Sequence, residues 1–348
     1  MLKLSKKEGE DLLHLAGKNG QVTLIKNLLK AKVDINALNS EGLSALHWAV
    51  IKGNVEVTRL LIREGANIEI KDSKWGSTPL LFACQNGKTK IVKLLFENGA
   101  DIDAENDEGT SAIHFAAQSG KIDLVDILLQ KGFDINSKNN LEENPLHYTL
   151  YPRHFPACQK ATNSFGMAKF LIENGAKIDE DSSRGTPLTC AVATRNLDVV
   201  KLLIAQGAKV NHVTNTDLTP LPLALMYCNN EILKFLIENG AEVNAVHMTH
   251  KRTPLHASAY HFFCITKRCE ITRILLESGA NPKLRDVDGF TPFDFALEEG
   301  NNQFVKMALE SCPYLIADLN ATGNFPIQYA LEQYNLSAFK MIITHCQK

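Results

Sequence analysis

The sequence predicts an all-α solenoid, a stack of short helix pairs. Three observations carry this reading. One tetrapeptide recurs along the chain, each copy introduces a pattern of two helices, and one such pair is too small to bury its own apolar faces. The tetrapeptide is "DLLH" ending at His14, then "SALH" (His47), "TPLL" (Leu81), "SAIH" (His114) and "NPLH" (His147). It returns as "TPLT" (Thr189), "TPLP" (Pro222), "TPLH" (His256), "TPFD" (Asp294) and "FPIQ" (Gln328). The copies recur with a period of about 33 residues, except that the steps from His147 to Thr189 and from His256 to Asp294 are longer.

Residues 76–103, "GSTPLLFACQNGKTKIVKLLFENGADID", show what each position does. Thr78 is placed as a helix N-cap whose hydroxyl accepts a free backbone N–H, and Pro79 suits the first helical position. Leu80, Ala83 and Cys84 form an inner face whose small residues permit close helix packing. Gly87 ends this helix in a left-handed conformation. Ile91, Val92, Leu94 and Leu95 supply the apolar stripe of a second helix, Gly99 ends it, and "ADID" leads into an extended turn.

The period, together with the T-P-L-H and G-A-x-(V/I)-N signatures, resembles the ankyrin repeat. The resemblance spans essentially the whole chain, with ten repeats starting near residues 8, 39, 73, 106, 139, 181, 214, 248, 286 and 320. It implies a single array over residues 1–348, with stacked helix–turn–helix units joined by β-hairpin-like loops. The first and the last two repeats are degenerate, as expected of caps that exchange apolar for polar outer surface.

Two steps exceed the period. From His147 to Phe170 the chain is ten residues longer than over the matching stretch of a regular repeat, His47 to Leu60. The extra residues fall between the two helices, within 151–165, "YPRHFPACQKATNSF". From His256 to Ile274 it is five residues longer, and the excess falls at the same junction, within 260–270. Both stretches read as lengthened inter-helix loops rather than domain boundaries, so one continuous stack is expected. Their aromatic and cationic content has the character of binding anchors.

Composition excludes several classes. A formal net charge of −2 gives no basic footprint for nucleic acid. No apolar run approaches the roughly 20 residues needed to span a bilayer, and the opening segment lacks the apolar block of a secretory signal. Eight scattered cysteines without a CxxC argue for a reducing compartment. A cytoplasmic monomer is expected, in the producing cell or in a host cell that receives it.

Chemical motifs are sparse. "NGKT" (86–89) lacks the glycine a phosphate-binding loop requires, because that position is Phe82. Cys84 and Cys190 occupy small inner positions where a thiol packs as a hydrophobe. His256, His261, Cys264 and Cys269 match no standard zinc spacing, and no metal or other cofactor is expected. By the resemblance, His14, His47, His114, His147 and His256 are structural, and Asn36, Asn136, Asn211 and Asn244 brace the turns. The asparagine context also resembles that of asparaginyl hydroxylase substrates.

The resemblance further implies binding of a protein partner through the hairpin tips and the concave face of the first helices. The residues so placed are Trp75 and Arg252 at tips, and Lys52, Gln85, Gln118, Tyr151, Tyr227, Tyr260 and His261 on concave positions. Arg153, His154, Phe155, Phe262 and Phe263 join them from the inserted loops. The function expected is a non-catalytic interaction module, an adaptor or an effector delivered into a host cell. The competing reading is an enzyme whose site is built on the two insertions.

Overall fold

A computed structural model describes residues 5–150, 164–215, 217–246, 250–260 and 265–347, with the side chains of 265–268 excepted. The described residues hold twenty α-helices, one 3-10 helix (Pro313–Ala317) and no strand. Two compact units result, Met1–Ser183 and Arg184–Lys348.

In the N-terminal unit the helices pair as Lys6–Asn19 with Val22–Lys30, Ala45–Lys52 with Val55–Arg63, and Pro79–Gln85 with Thr89–Glu97. Ala112–Ser119 with Ile122–Gln130 and Pro145–Leu150 with Ser164–Glu173 complete it. The first helix of each pair packs on the first helix of the next, and the second helices meet more sparsely, as Val22–Lys30 does with Val55–Arg63 and Val55–Arg63 with Thr89–Glu97. The pair Pro145–Leu150 and Ser164–Glu173 packs together although 151–163, most of the first insertion, lies outside the described residues.

The C-terminal unit repeats the plan. Its pairs are Pro187–Ala193 with Leu197–Ala205, Pro220–Met226 with Asn230–Glu238, and Pro254–Ala259 with Ile265–Glu277. Pro292–Glu298 with Asn302–Ser311 and Pro326–Glu332 with Leu336–Cys346 follow.

The core of each unit is the sandwich between first and second helices. Leu46, Leu61, Leu80, Leu81, Ile91, Leu95, Ile113 and Leu124 are fully buried in the N-terminal unit, and Phe293 and Phe304 in the C-terminal one. Each such side chain contributes on the order of 1.5–3 kcal/mol. Small residues set the spacing between repeats. A Cβ on Gly17 would lie 2.6 Å from the Ala45 carbonyl oxygen, so the first two inner helices can approach this closely only with glycine there.

The loops are hairpin-like without extended strands. Among the described residues Glu105 and Ser111 form an antiparallel bridge, and Ser182 and Gly185 are also bridge residues. A tip such as 39–43 is closed by backbone bonds from Asn39 N–H to Leu43 O and from Gly42 N–H to Asn39 O (both 2.9 Å). Three local expectations are corrected. The first helix starts at Lys6, capped by Ser5 and Glu8, so "DLLH" lies inside a helix and does not open one. The last pair is not polar on its outer side. Leu331 is 47% exposed, whereas Leu297, its counterpart one repeat earlier, is buried by the pair that follows it.

Third, the Thr78 hydroxyl is buried and has no hydrogen-bond partner. In other repeats the side chain three residues on holds the cap. Thr253 Oγ1 lies 2.8 Å from His256 Nδ1 and accepts from His256 N–H, and Thr291 is held by Asp294. Leu81 offers Thr78 nothing equivalent. Thr78→Val should therefore change the urea-unfolding free energy by less than about 0.5 kcal/mol or raise it. Thr253→Val should lower it by about 0.5–2 kcal/mol.

Candidate functional site

The histidines of the motif come first, because they determine which polar groups are left for function. His47 Nε2–H donates to the Ser77 carbonyl (3.2 Å) in the next tip, while its Nδ1 accepts from the Ser44 N–H (3.1 Å). His114 repeats this with Glu143 O (3.1 Å) and Ser111, and His256 with Phe290 O (3.1 Å) and Thr253. His147 Nδ1 meets Asn144, and His14 Nε2 reaches Ala37 O (2.8 Å). His47, His114 and His256 thus each clip the tip of the following repeat. The metal candidate therefore loses His256, both of whose nitrogens are engaged; His261 and Cys264 lie outside the described residues.

Burial pushes both His47 and His114 down to about 4 from the ordinary 6.5, against opposing hydrogen bonds to the Ser77 and Glu143 carbonyls. The unfolded chain thus takes up these protons first. The stability they confer is complete above about pH 6.5, erodes as pH falls, and is gone below about pH 4, with a ceiling of about 3 kcal/mol per ring. Denaturation midpoints measured between pH 7 and 4 should fall, and His114→Gln should flatten that slope.

The tips are organised by a position the sequence reading passed over. Asn39 accepts from the Glu41 and Leu43 N–H groups, and Asn106, Asn139, Asp286 and Asn320 do the same in their own tips. Their signal was an Asn or Asp three residues before a residue of positive φ: Gly42, Gly109, Glu142, Gly289 or Gly323. Asp72 departs from this spacing, with Gly76 four residues on. The extra residue widens the tip and carries Trp75. Asp72 accepts from Lys74, Trp75 and Ser77 N–H groups at 3.0, 3.1 and 2.6 Å. Trp75 itself is half-buried, with the Lys74 ammonium 5.1 Å from its ring centroid. Trp48 is also half-buried, under Lys18 (4.5 Å).

The remaining predicted contacts divide sharply. Lys52 is exposed, and Gln85 and Tyr227 are half-buried, the latter with Arg195 5.9 Å from its ring. Gln118 is 8% exposed, because its helix is packed between Pro79–Gln85 and Pro145–Leu150; it offers little surface amide, and its Nε2 has no partner. Arg252 is no free tip cation. Its Nε donates to Asp286 Oδ2 (3.1 Å), whose side chain is fully buried, and its guanidinium lies over Phe295 (4.7 Å) and Tyr260 (5.3 Å). Tyr260 stacks at 4.7 Å on Phe295. Tyr151, Arg153, His154, Phe155, His261, Phe262 and Phe263 lie outside the described residues.

Other motifs are absorbed by the fold. "NGKT" is the turn between Pro79–Gln85 and Thr89–Glu97, and Cys84 and Cys190 are buried. Burial pushes the Cys84 thiol far up, which keeps it un-ionised. The turn asparagines brace neighbouring repeats: Asn36 Oδ1 accepts from Asn67 N–H (2.8 Å), Asn136 from Lys177 (2.8 Å), Asn211 from Glu242 (2.9 Å) and Asn244 from Asn281 (2.8 Å). No helix among the described residues is long and apolar enough to cross a membrane. Arg252→Ala should cost about 1–3 kcal/mol in chemical denaturation, since it strands the buried Asp286 carboxylate.

Ankyrin repeats (3 copies) match residues 2–72, 69–139, 91–160, 138–214, 155–247 and 207–286. Mouse B-cell lymphoma 3 protein homolog is 37% identical over 112 residues, 31% of this chain and 25% of that protein. Mouse protein phosphatase 1 regulatory subunit 27 is 40% identical over 93 residues, 26% of this chain and 60% of that protein. The chain thus spans between a quarter and three fifths of these relatives. The human ASB11 ankyrin repeat domain superposes with a TM-score of 0.56 and 27% identity, covering 66% of this chain and 98% of that one.

Proposed function

Since the chain belongs to the ankyrin-repeat family, we propose that it is a non-catalytic adaptor that holds a protein partner. The partner would lie against the ends of the inner helices and the turn tips. The observation that carries this is the contrast in how polar groups are used. The motif histidines described above, Cys84, Cys190 and Arg252 are spent on the fold, while Lys52, Gln85, Trp75 and Tyr227 keep accessible surface. Side chains of this kind at repeat edges supply anchors without reactive chemistry. A relative named as a regulatory subunit of protein phosphatase 1 fits the same picture.

Within the N-terminal unit we place the contact on Trp75, Lys52 and Gln85, with Tyr151, Arg153, His154 and Phe155 from the first insertion. Within the C-terminal unit we place it on Tyr227, with His261, Phe262 and Phe263. Gln118, Arg252 and Tyr260 serve as supports. The protein acts in a cytoplasm, its own or that of a host cell into which it is delivered.

Affinity capture from cell lysates tests this. Trp75→Ala and Phe155→Ala should each weaken capture of a specific protein by about 1–3 kcal/mol, with melting temperature nearly unchanged. Retained capture together with a lowered melting temperature would identify these side chains as packing struts and overturn the assignment.

A further inference from the structure

In five repeats the residue that follows the end of the inner helix and opens the second is asparagine: Asn54, Asn196, Asn229, Asn301 and Asn335. It serves two purposes. Four of the five cap the second helix, accepting from Val199 (3.2 Å), Ile232 (3.1 Å), Phe304 (3.2 Å) and Ala338 N–H (3.0 Å). Three reach back to the preceding repeat: Asn54 Nδ2 donates to Gly17 O (2.9 Å), Asn301 to Ala259 O (3.2 Å) and Asn335 to Leu297 O (3.2 Å).

The third and fourth repeats break this rule together. They carry Lys88 and Lys121 at this position, and an ammonium has no acceptor with which to cap a helix. Neither Thr89–Glu97 nor Ile122–Gln130 has a side-chain cap. Both lysines lie back over the glycine of the preceding repeat. A Cβ on Gly53 would meet Lys88 Cδ, Cε and Nζ at 3.4 Å, and one on Gly87 would meet Lys121 Cγ at 2.9 Å and Cε at 3.5 Å. The second helices Val22–Lys30 and Val55–Arg63 likewise have no side-chain cap; what sets the third and fourth repeats apart is a ladder of cations at this position.

The ladder lines an open groove of about 370 Å³, together with Lys52, Lys90, Thr89 and Asp123. Four ammonium groups face one carboxylate, and that carboxylate already accepts from Thr89 Oγ1 (3.2 Å). Among the described residues none of the four lysines has an ion pair. This local excess of positive charge stands in a chain whose net charge is −2.

We propose that the groove docks an extended acidic segment of a protein, with carboxylate or phosphoryl groups at every third residue. Rungs from adjacent repeats are separated by the spacing of stacked helices, about 8–10 Å. A polyproline II chain returns to the same face every three residues, about 9 Å on. Asp123 selects against nucleic acid, because a phosphate backbone cannot omit a charge opposite it, whereas a peptide places a neutral residue there. The groove shares Lys52 with the contact assigned above, but Lys88 and Lys121 are not among that contact's residues, so variants at these two test this assignment while the other stands.

The probe is a fluorescent peptide of about nine residues with glutamate at every third position, titrated by anisotropy against the full chain. Lys88→Asn/Lys121→Asn installs the array's own residue, so its melting temperature should hold or rise. Peptide affinity should fall about tenfold in this variant, and in wild type when salt is raised from about 50 to about 200 mM. Lys88→Gln/Lys121→Gln is the second variant and should lose the same affinity. The proposal is overturned if wild type does not bind the peptide saturably, if both variants keep wild-type affinity, or if an oligothymidylate of equal charge binds more tightly.

Discussion

A neutral imidazole clipped between two repeats is the interaction on which the rest of this array depends. A helix of seven or eight residues leaves half its N–H groups without partners and cannot stand alone in water. In the second, fourth and eighth repeats the histidine at the fourth motif position answers both problems. It fixes the cap residue through Nδ1 and donates through Nε2 to the next tip, so one side chain ends a helix and sets the stacking register. Desolvation keeps the ring neutral, which is the only state in which one nitrogen can accept while the other donates.

Where the histidine is missing, the repeat finds another way or goes without. Thr189 turns its hydroxyl back to Thr186 O (2.8 Å), and Asp294 replaces the imidazole at the Thr291 cap (2.7 Å). Leu81 and Pro222 do neither, and the Thr78 and Thr219 caps above them make no side-chain bond. These two caps have no replacement for the imidazole, which a stacked array tolerates because stability is shared with the neighbours.

The same economy governs the surface. Asparagine recurs at the tips and at the inter-helix turns because its amide can accept and donate at once, so one residue braces two repeats. Side chains that leave this pattern are the informative ones. Trp75 occupies the single added residue of its tip, and Lys88 and Lys121 stand where bracing asparagines stand elsewhere. Local rules broken without a structural gain point to sites where something other than stability is selected.

The sequence by itself determined the period, the pairing of helices, the structural histidines and the turn asparagines Asn36, Asn136, Asn211 and Asn244. These depend on contacts within one repeat or between a repeat and the next, and an offset of one period is visible in the chain itself. Only the tertiary structure decided which polar side chains remain free. Arg252 looked like an exposed tip cation until Asp286, in the following repeat, was found beneath it, and Gln118 looked like surface until two flanking helices covered it. The lysine groove was hidden for the same reason. Its rungs stand a full repeat apart in a chain of ordinary charge, and they become one site only when stacking brings each lysine over the glycine of the repeat before it.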